Sequence, residues 1–545
     1  MTIKSILCTL FLLPFSLQNI EAQAVANPAE TSALSGSLQA NGNFYIRDSA
    51  IGAANIPQYD HQLVGADAWL TLNYNSSGYD IGVRFDVYQN SQLLNPRESY
   101  SASGIGRFYL KKRVDKLTIY GGYIYDQVGS GIIFRSYEDR PLGIDNALVG
   151  LNLDYQITEN WHAKVFSGRQ KRQFDAYKST INGFNTEGYF SVGKTNFAPG
   201  FGVVHRTLDD ETTTQLVSAI ATYSKADSIG VKYNTFALTA YNTLTFGPFT
   251  WYVEGAYKTP ESLFDPNAEK FNRDGFSTQG KFISRSGSVI YSNLGFVAEG
   301  VGVTLEAKRT DGFSFRTTPF AQLNRGIVNF LPPMSRQNSY RLTTRYVPAT
   351  QELGEQALQL DVKLSPSEKV NIDVNFSTIS TLKNVQLYRE IYASILLKRD
   401  ATEWVFGVQH QTYNQQIYEV KPNVPNVTTI TPFLEFRRKM SATKSLKIET
   451  QYMATQQDYG TWLNGSIELT IAPKWAFSVS DMWNIQPKKT KNALHYPSVS
   501  VAFSQDANRI SLAYVKQVEG VVCTGGICRV EPAFSGVRLG VTSVF

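Results

Sequence analysis

With 545 residues, 18% charged side chains and a formal charge of +6, the chain is too weakly basic for its length to point to nucleic acid. After the N-terminus no stretch approaches the ~20 continuous apolar residues of a membrane helix, which excludes a helical membrane protein. Aromatic content of 13% and a mean hydropathy of −0.22 fit a barrel whose strands show one face to lipid and the other to water.

The N-terminus reads as a secretory signal over residues 1–24. Lys4 supplies the charge, Ile6 to Leu17 is an apolar run interrupted by Pro14, and Ala22-Gln23-Ala24 is the cleavage site. Cys8 precedes that site, so a lipid-anchored cysteine is not expected. Residues 25–545 then form a single outer-membrane β-barrel domain. The short stretch from Ala24 to the first expected strand, at Leu34, leaves no room for an N-terminal plug, so inward-folded loops or a partner are the candidates to fill the lumen.

Along the chain, strands alternate with turns. Leu358, Leu360, Val362 and Leu364 oppose Gln359, Asp361 and Lys363; Leu446, Ile448, Thr450 and Tyr452 oppose Lys447, Glu449 and Gln451; Ile467 and Leu469 flank Glu468. Period two with charges on one face predicts an all-β, antiparallel, up-and-down transmembrane barrel. Asp361, Lys363, Lys447, Glu449 and Glu468 must face the lumen, because charge toward lipid at the midplane costs several kcal/mol. About 24 strands are expected, with 20 to 26 as the range. Short links (Asn75 to Gly78, Val114 to Lys116, Ala472-Pro473, Gln505 to Asn508) alternate with long ones (Asp48 to Asp60, Asp126 to Asn146, Asn414 to Val427, Glu519 to Pro532). The alternation fails between about Gly168 and Asn338, where Ala321 to Phe330 reads as a further strand. In the last strand Val537, Leu539, Val541 and Phe545 share a face opposite Arg538 and Gly540. A strand ending on an aromatic suits pairing with the first strand, reading by the barrel-assembly machinery, and a periplasmic C-terminus in a Gram-negative outer membrane.

Gly129 to Asn146 gathers Arg135, Glu138, Asp139, Arg140 and Asp145 around apolar residues. Such a loop either lines a constriction or ligand site in the lumen or pins itself through structural ion pairs. Cys523 and Cys528, close in sequence across a Gly-Gly centre, read as a disulfide in an oxidising compartment. The five histidines show no ligand spacing, and no Ser/His/acid cluster, Walker or G-x-S-x-G motif occurs, so no enzyme, metal or cofactor is expected. Asp209-Asp210-Glu211 reads as a calcium-binding loop or a solvated acidic turn.

Ser35-Gly36-Ser37-Leu38-Gln39, the Gly129 to Asn146 segment, Ala307-Lys308-Arg309-Thr310-Asp311, Asn329-Phe330-Leu331-Pro332-Pro333 and the Cys523–Cys528 loop together carry a resemblance. The chain resembles an uncharacterised family of Bacteroidota outer-membrane barrel proteins, a domain of unknown function. The resemblance implies location and fold and no activity. Expected partners are outer-membrane lipid and lipopolysaccharide, and the assembly machinery during biogenesis. The functions in view are a porin-like or substrate-specific channel, or an accessory barrel of a secretion or surface-assembly complex with an outer-membrane protein partner.

Overall fold

The computed structural model describes residues 33–94, 98–321, 324–524 and 527–545, and of residues 522–524 and 527–528 the backbone alone. The expected signal segment, 1–24, lies outside the described residues. Twenty-five strand segments form one sheet; Phe190–Val192 continues Asp175–Gly188, so they make a closed antiparallel barrel of 24 strands. Closure is direct. The last strand, Phe534–Val544, pairs with the first, Ala33–Tyr45, from Ser37↔Val544 to Tyr45↔Gly536. Phe545 extends this ladder by exchanging backbone hydrogen bonds with Gly36. No sheet edge is left open, which is the condition for strands to survive in lipid.

The alternation of each strand becomes an inside and an outside. In Asn234–Phe246, Thr235, Ala237, Thr239 and Tyr241 are buried inward, while Phe236 is exposed on the outer face. Neighbouring strands meet at one barrel end through two-residue turns such as Ser77-Gly78, Asp115-Lys116, Gly247-Pro248 and Asp506-Ala507. These tight turns need a left-handed residue; Gly78 (φ +74°) accepts it without a Cβ penalty, and Asp115 (φ +49°) tolerates it through its short polar side chain. Both barrel termini lie at this turn end. The opposite, loop end carries the long links.

Outward aromatics form two rings. Near the turns, Phe249 stacks on Phe246 and packs at a tilt on Phe296, as Trp404 does on Phe436 and Trp475 on Phe503. Toward the loop end, Phe236, Tyr257, Tyr452 and Trp483 are exposed outward. Phe249 and Tyr257 sit eight residues apart on one strand, roughly 26 Å along it and about 20 Å along the axis after a ~40° tilt. That spacing matches an apolar membrane band flanked by interfacial aromatics.

Two expectations about strands are corrected. Ala321 to Phe330 is not a strand; it lies within residues 312–353, which join Val301–Asp311 to Gly354–Ser367. Among its described residues, Ile327 and Val328 bury inside the lumen instead of entering a sheet. The lost alternation traces to Gln173-Phe174, a two-residue link at the loop end between Trp161–Arg172 and Asp175–Gly188. Gln173 takes φ +60° although it is neither Gly nor Asn, so the turn carries no ordinary sequence mark. With that link restored, Gly247-Pro248 and Glu299-Gly300 fall at the turn end with the other short links.

One hairpin outruns the wall. Phe249–Phe271 and Ser277–Ala298 hold 23 and 22 residues and extend past the loop rim, with register shifts at Lys258/Glu261 and Asp265/Glu269. The helix Asp210–Ala221 packs on it through Leu216 and Ile220 against Tyr223 and Phe282. Asp209, the first of the acidic run, caps this helix by accepting from Thr212 N–H.

Candidate functional site in the lumen

A cylinder of 24 strands has a circumference of about 150 Å at ordinary strand spacing and tilt, too wide for wall side chains to fill. Two loop-end links fold inward to occupy it. The first, residues 125–147, carries Val128, Ile132, Ile133 and Phe134, all buried. Phe134 stacks on Phe166 of the wall at 4.4 Å. Burying each of these side chains is worth about 1.5–3 kcal/mol, which turns the link into the lumen and not out into water. Its tip is held by Glu254, fully buried on the wall, which accepts hydrogen bonds from Ser130 N–H, Ser130 Oγ, Tyr252 Oη and Thr239 Oγ1. Gly129 (φ +56°) packs so close that a Cβ would stand 2.9 Å from Glu254 Oε1, so this approach requires glycine.

Farther along, the link meets a charge cluster. Arg84, on Tyr79–Ser91 and 2% exposed, bridges Asp86 (2.7 Å), Glu138 (2.8 Å) and Asp145 (3.2 Å). Lys171 also pairs with Asp145 and donates to Gly106 O. Arg140 pairs with Glu138 and reaches Gln39 of the first strand at 2.7 Å. Asp139 accepts from Leu142 N–H, closing the local turn. Arg135 donates its backbone N–H to Val328 O and lays its guanidinium over Phe330.

That last contact ties the first link to the second, residues 312–353. Phe330 N–H donates to Gly131 O, and Asn146 Nδ2 donates to Ile327 O. Phe313, Phe315, Val328, Leu331, Met334 and Leu342 bury in one core with Ile132, Ile133 and Phe134. The wall holds this second link at many points through buried polar groups. Lys308, paired with Glu355 at 2.7 Å, donates to Pro332 O; Lys258, paired with Glu261, donates to Ser314 O; Arg206 donates to Arg316 O. Across the lumen, Glu390 accepts from Asn338, Gln409 donates to Thr343 O, Gln411 donates to Tyr346 O, and Gln451 accepts from Leu342 N–H. Buried polar groups cost free energy unless paired, and here most close on link backbone or an opposite charge, with Glu390 closing on the Asn338 side chain.

The structure places Asp361 and Asp373 around Arg336 of this link, at 3.8 and 2.7 Å. Lys363 is the register partner of Asp373, nearer the turn end. Lys447 lies 3.5 Å from Glu449 and 3.8 Å from Glu435, and pairs in register with Glu468. These charges therefore share the wall, and Asp361 and Asp373 reach the second link through Arg336. Val537, Leu539 and Val541 face outward on the closing strand. Cys523 and Cys528 are register partners in a small hairpin beyond the rim, and their side chains lie outside the described residues. The groups that hold the links on the wall, Arg84, Glu254, Glu261, Lys308, Glu355 and Glu390, escape sequence reasoning. Their one signal is a charge inside a strand otherwise lined with Thr, Tyr and Gln.

At the rim, Asp458 gathers Lys489 (2.6 Å), Lys421 (3.6 Å) and Tyr346 Oη (3.0 Å) and so ties three other links to its own. Burial pushes its carboxyl up, but the Lys489 hydrogen bond and the charges of Lys489, Arg345 and Lys421 outweigh this and hold it below the ordinary value. A carboxyl depressed in the folded state stabilises that state above its unfolded pKa, and the stabilisation is lost as pH falls through the folded value. Acidification below about pH 4 is therefore expected to loosen the Arg345–Tyr346 end of the inner link. Trp462, fully buried with Arg345 4.7 Å above its ring, reports this as a red shift in fluorescence. Asp458→Asn should remove the acid transition; an unchanged transition in that variant would assign it elsewhere.

No curated protein sequence matches the chain. Among solved structures, it is similar to the translocation pore of the P pilus usher PapC, at 8% identity over 94% of this chain and 99% of that one, with a TM-score of 0.44. It is likewise similar to the siderophore receptor PirA from Pseudomonas aeruginosa, at 9% identity over 94% and 80%, with a TM-score of 0.41. The sequence pattern of one family spans residues 3–545, and the chain belongs to that family of unknown function, DUF6029.

Proposed function

We propose that this protein is an outer-membrane channel, substrate-specific and closed at rest, whose closure is made by its own links 125–147 and 312–353. The observation that supports this most is the manner of attachment. The links are joined to each other and to the wall by an apolar core, ion pairs and hydrogen bonds, and not by the ladders of the wall strands, so they can leave the wall without disturbing a single strand ladder. The charges that hold the links, such as Arg84 with Asp86 and Lys308 with Glu355, are buried, so the closure holds at rest and opens only as those groups are rehydrated or given a new partner. In this reading the turn end, which carries the C-terminus, faces the periplasm, and the long links face outward. In planar bilayers the purified protein should carry little current, and replacing residues 134–145 by Gly and Ser should raise it. A folded barrel that carries no current after both links are removed would end the reading.

A second reading, an accessory barrel of a secretion or surface-assembly complex, draws support from the hairpin that outruns the rim with its packed helix. Extraction in mild detergent should then recover a stoichiometric partner, lost when residues 262–284 are shortened.

A further inference from the structure

At the loop end, between the first link and the wall, lies a cavity of about 870 Å³, within the ~300–1,000 Å³ range of small-molecule sites. Its acids are already assigned: Asp86 to Arg84, Glu138 to Arg84 and Arg140, and Asp145 to Arg84 and Lys171. Arg529, also at the cavity, is paired with Glu531. Two cations remain. Arg172 and Arg325 line the cavity, are exposed, and have no carboxylate within 4 Å among the described residues. Asp175, the register partner of Arg172, turns its carboxylate to Ala176 N–H at 2.8 Å. Beside these guanidiniums stands an aromatic wall: Arg172 lies 5.8 Å from the Tyr177 ring, Phe174 meets Tyr88 at 6.0 Å edge to face, and Phe320 is 38% exposed.

From this juxtaposition we propose that the cavity is a binding site for a soluble, ring-bearing anion, a carboxylate or phosphate ester, whose charge meets Arg172 and Arg325 and whose ring lies against Phe174 and Tyr177. Guanidiniums form forked hydrogen bonds with such anions, and flat side chains bury a ring at low entropic cost. The site lies inside the loop-end rim, away from the lipid face, which favours a soluble ligand over a lipid headgroup. The inference deepens the channel reading and rests on it for the route a ligand would take, but binding is measured without any current. A barrel that binds and never conducts keeps this inference and sinks the other.

The test is calorimetry on the detergent-purified full chain with 4-nitrophenyl phosphate. Sub-millimolar binding is expected, with inorganic phosphate and neutral 4-nitrobenzyl alcohol each weaker by about tenfold or more. Arg172→Ala with Arg325→Ala should weaken the aryl phosphate by about tenfold or more while heat-modifiable migration stays that of a folded barrel. Phe174→Ala should erase the preference for the aryl ester over phosphate. Absence of binding at millimolar ligand, equal binding of the neutral alcohol, or undiminished binding by the double variant would overturn the proposal. Tighter binding of dihexanoyl phosphatidic acid than of the aryl phosphate would move the anion to a lipid headgroup and overturn the soluble assignment.

Discussion

Replacing residues 314–351 with a short Gly-Ser linker should convert a nearly silent barrel into a conducting one, with single-channel current raised by about tenfold or more as the lumen of a large barrel is cleared. The cut is placed where the chain is already closed upon itself. Phe313 N–H bonds to Glu352 O and Gly312 N–H to Leu353 O, so the new linker spans a gap the width of one hydrogen bond. Below it, Val301–Asp311 keeps its unbroken register with Gly354–Ser367, from Asp311↔Gly354 to Val301↔Leu364. The wall loses link partners at Lys308, Glu390, Gln409, Gln411 and Gln451. Each then faces a water-filled lumen, where hydration replaces the lost bond at a small net cost. Phe313 stays, but the apolar faces of Ile132, Ile133 and Phe134 lose Phe315, Val328 and Leu331. The first link should therefore loosen as well, which enlarges the effect. Planar-bilayer recording checks the current, and heat-modifiable electrophoresis checks the barrel. Unchanged current from a folded variant would show that the second link does not close the lumen.

Arg84→Met should release the first link without removing a residue of it. Arg84 is the cation shared by Asp86, Glu138 and Asp145, and both Arg84 and Asp86 are 2% exposed. Without it, Lys171 remains on Asp145 and Arg140 on Glu138, while the buried Asp86 loses its hydrogen-bonded cation. Removing one partner of a buried ion pair costs about 3–5 kcal/mol. The barrel need not bear that cost, because two of the acids belong to the link: moving residues 137–146 away from the wall rehydrates Glu138 and Asp145. The expected result is fast proteolysis and fast hydrogen exchange confined to residues 125–147, with strand exchange unchanged and current increased. Asp86→Asn added to Arg84→Met should restore part of the protection by deleting the acid fixed to the wall. If exchange accelerates throughout the strands instead, Arg84 supports the barrel and not the closure.

Much of the wall is legible in the sequence, and for a definite reason. A strand between lipid and water must alternate, so Leu446, Ile448 and Thr450 against Lys447, Glu449 and Gln451 already state which side faces inward. The expected count of about 24 strands is the count found. Legibility fails where a turn lacks turn residues, as at Gln173-Phe174. It fails again where apolar residues bury against something other than a sheet partner, as in residues 321–330. The link Gly129 to Asn146 was marked by its charges, but whether those charges line a site or pin the loop is not written in that segment. Arg84 and Lys171, which answer it, lie on other strands.

Local chemistry therefore determined the strands, their inward and outward faces and the short turns, since each depends on residues within a few positions of one another. Tertiary structure alone decided what fills the lumen. Glu254 meets Ser130 and Gln451 meets Leu342 only once strands distant in the chain have paired into one wall, which brings together residues that no periodicity relates. The two guanidiniums left over at the loop end emerge the same way: Arg172 and Arg325 are unremarkable in sequence, and become a candidate anion site once the acids lining the cavity have been taken by other cations.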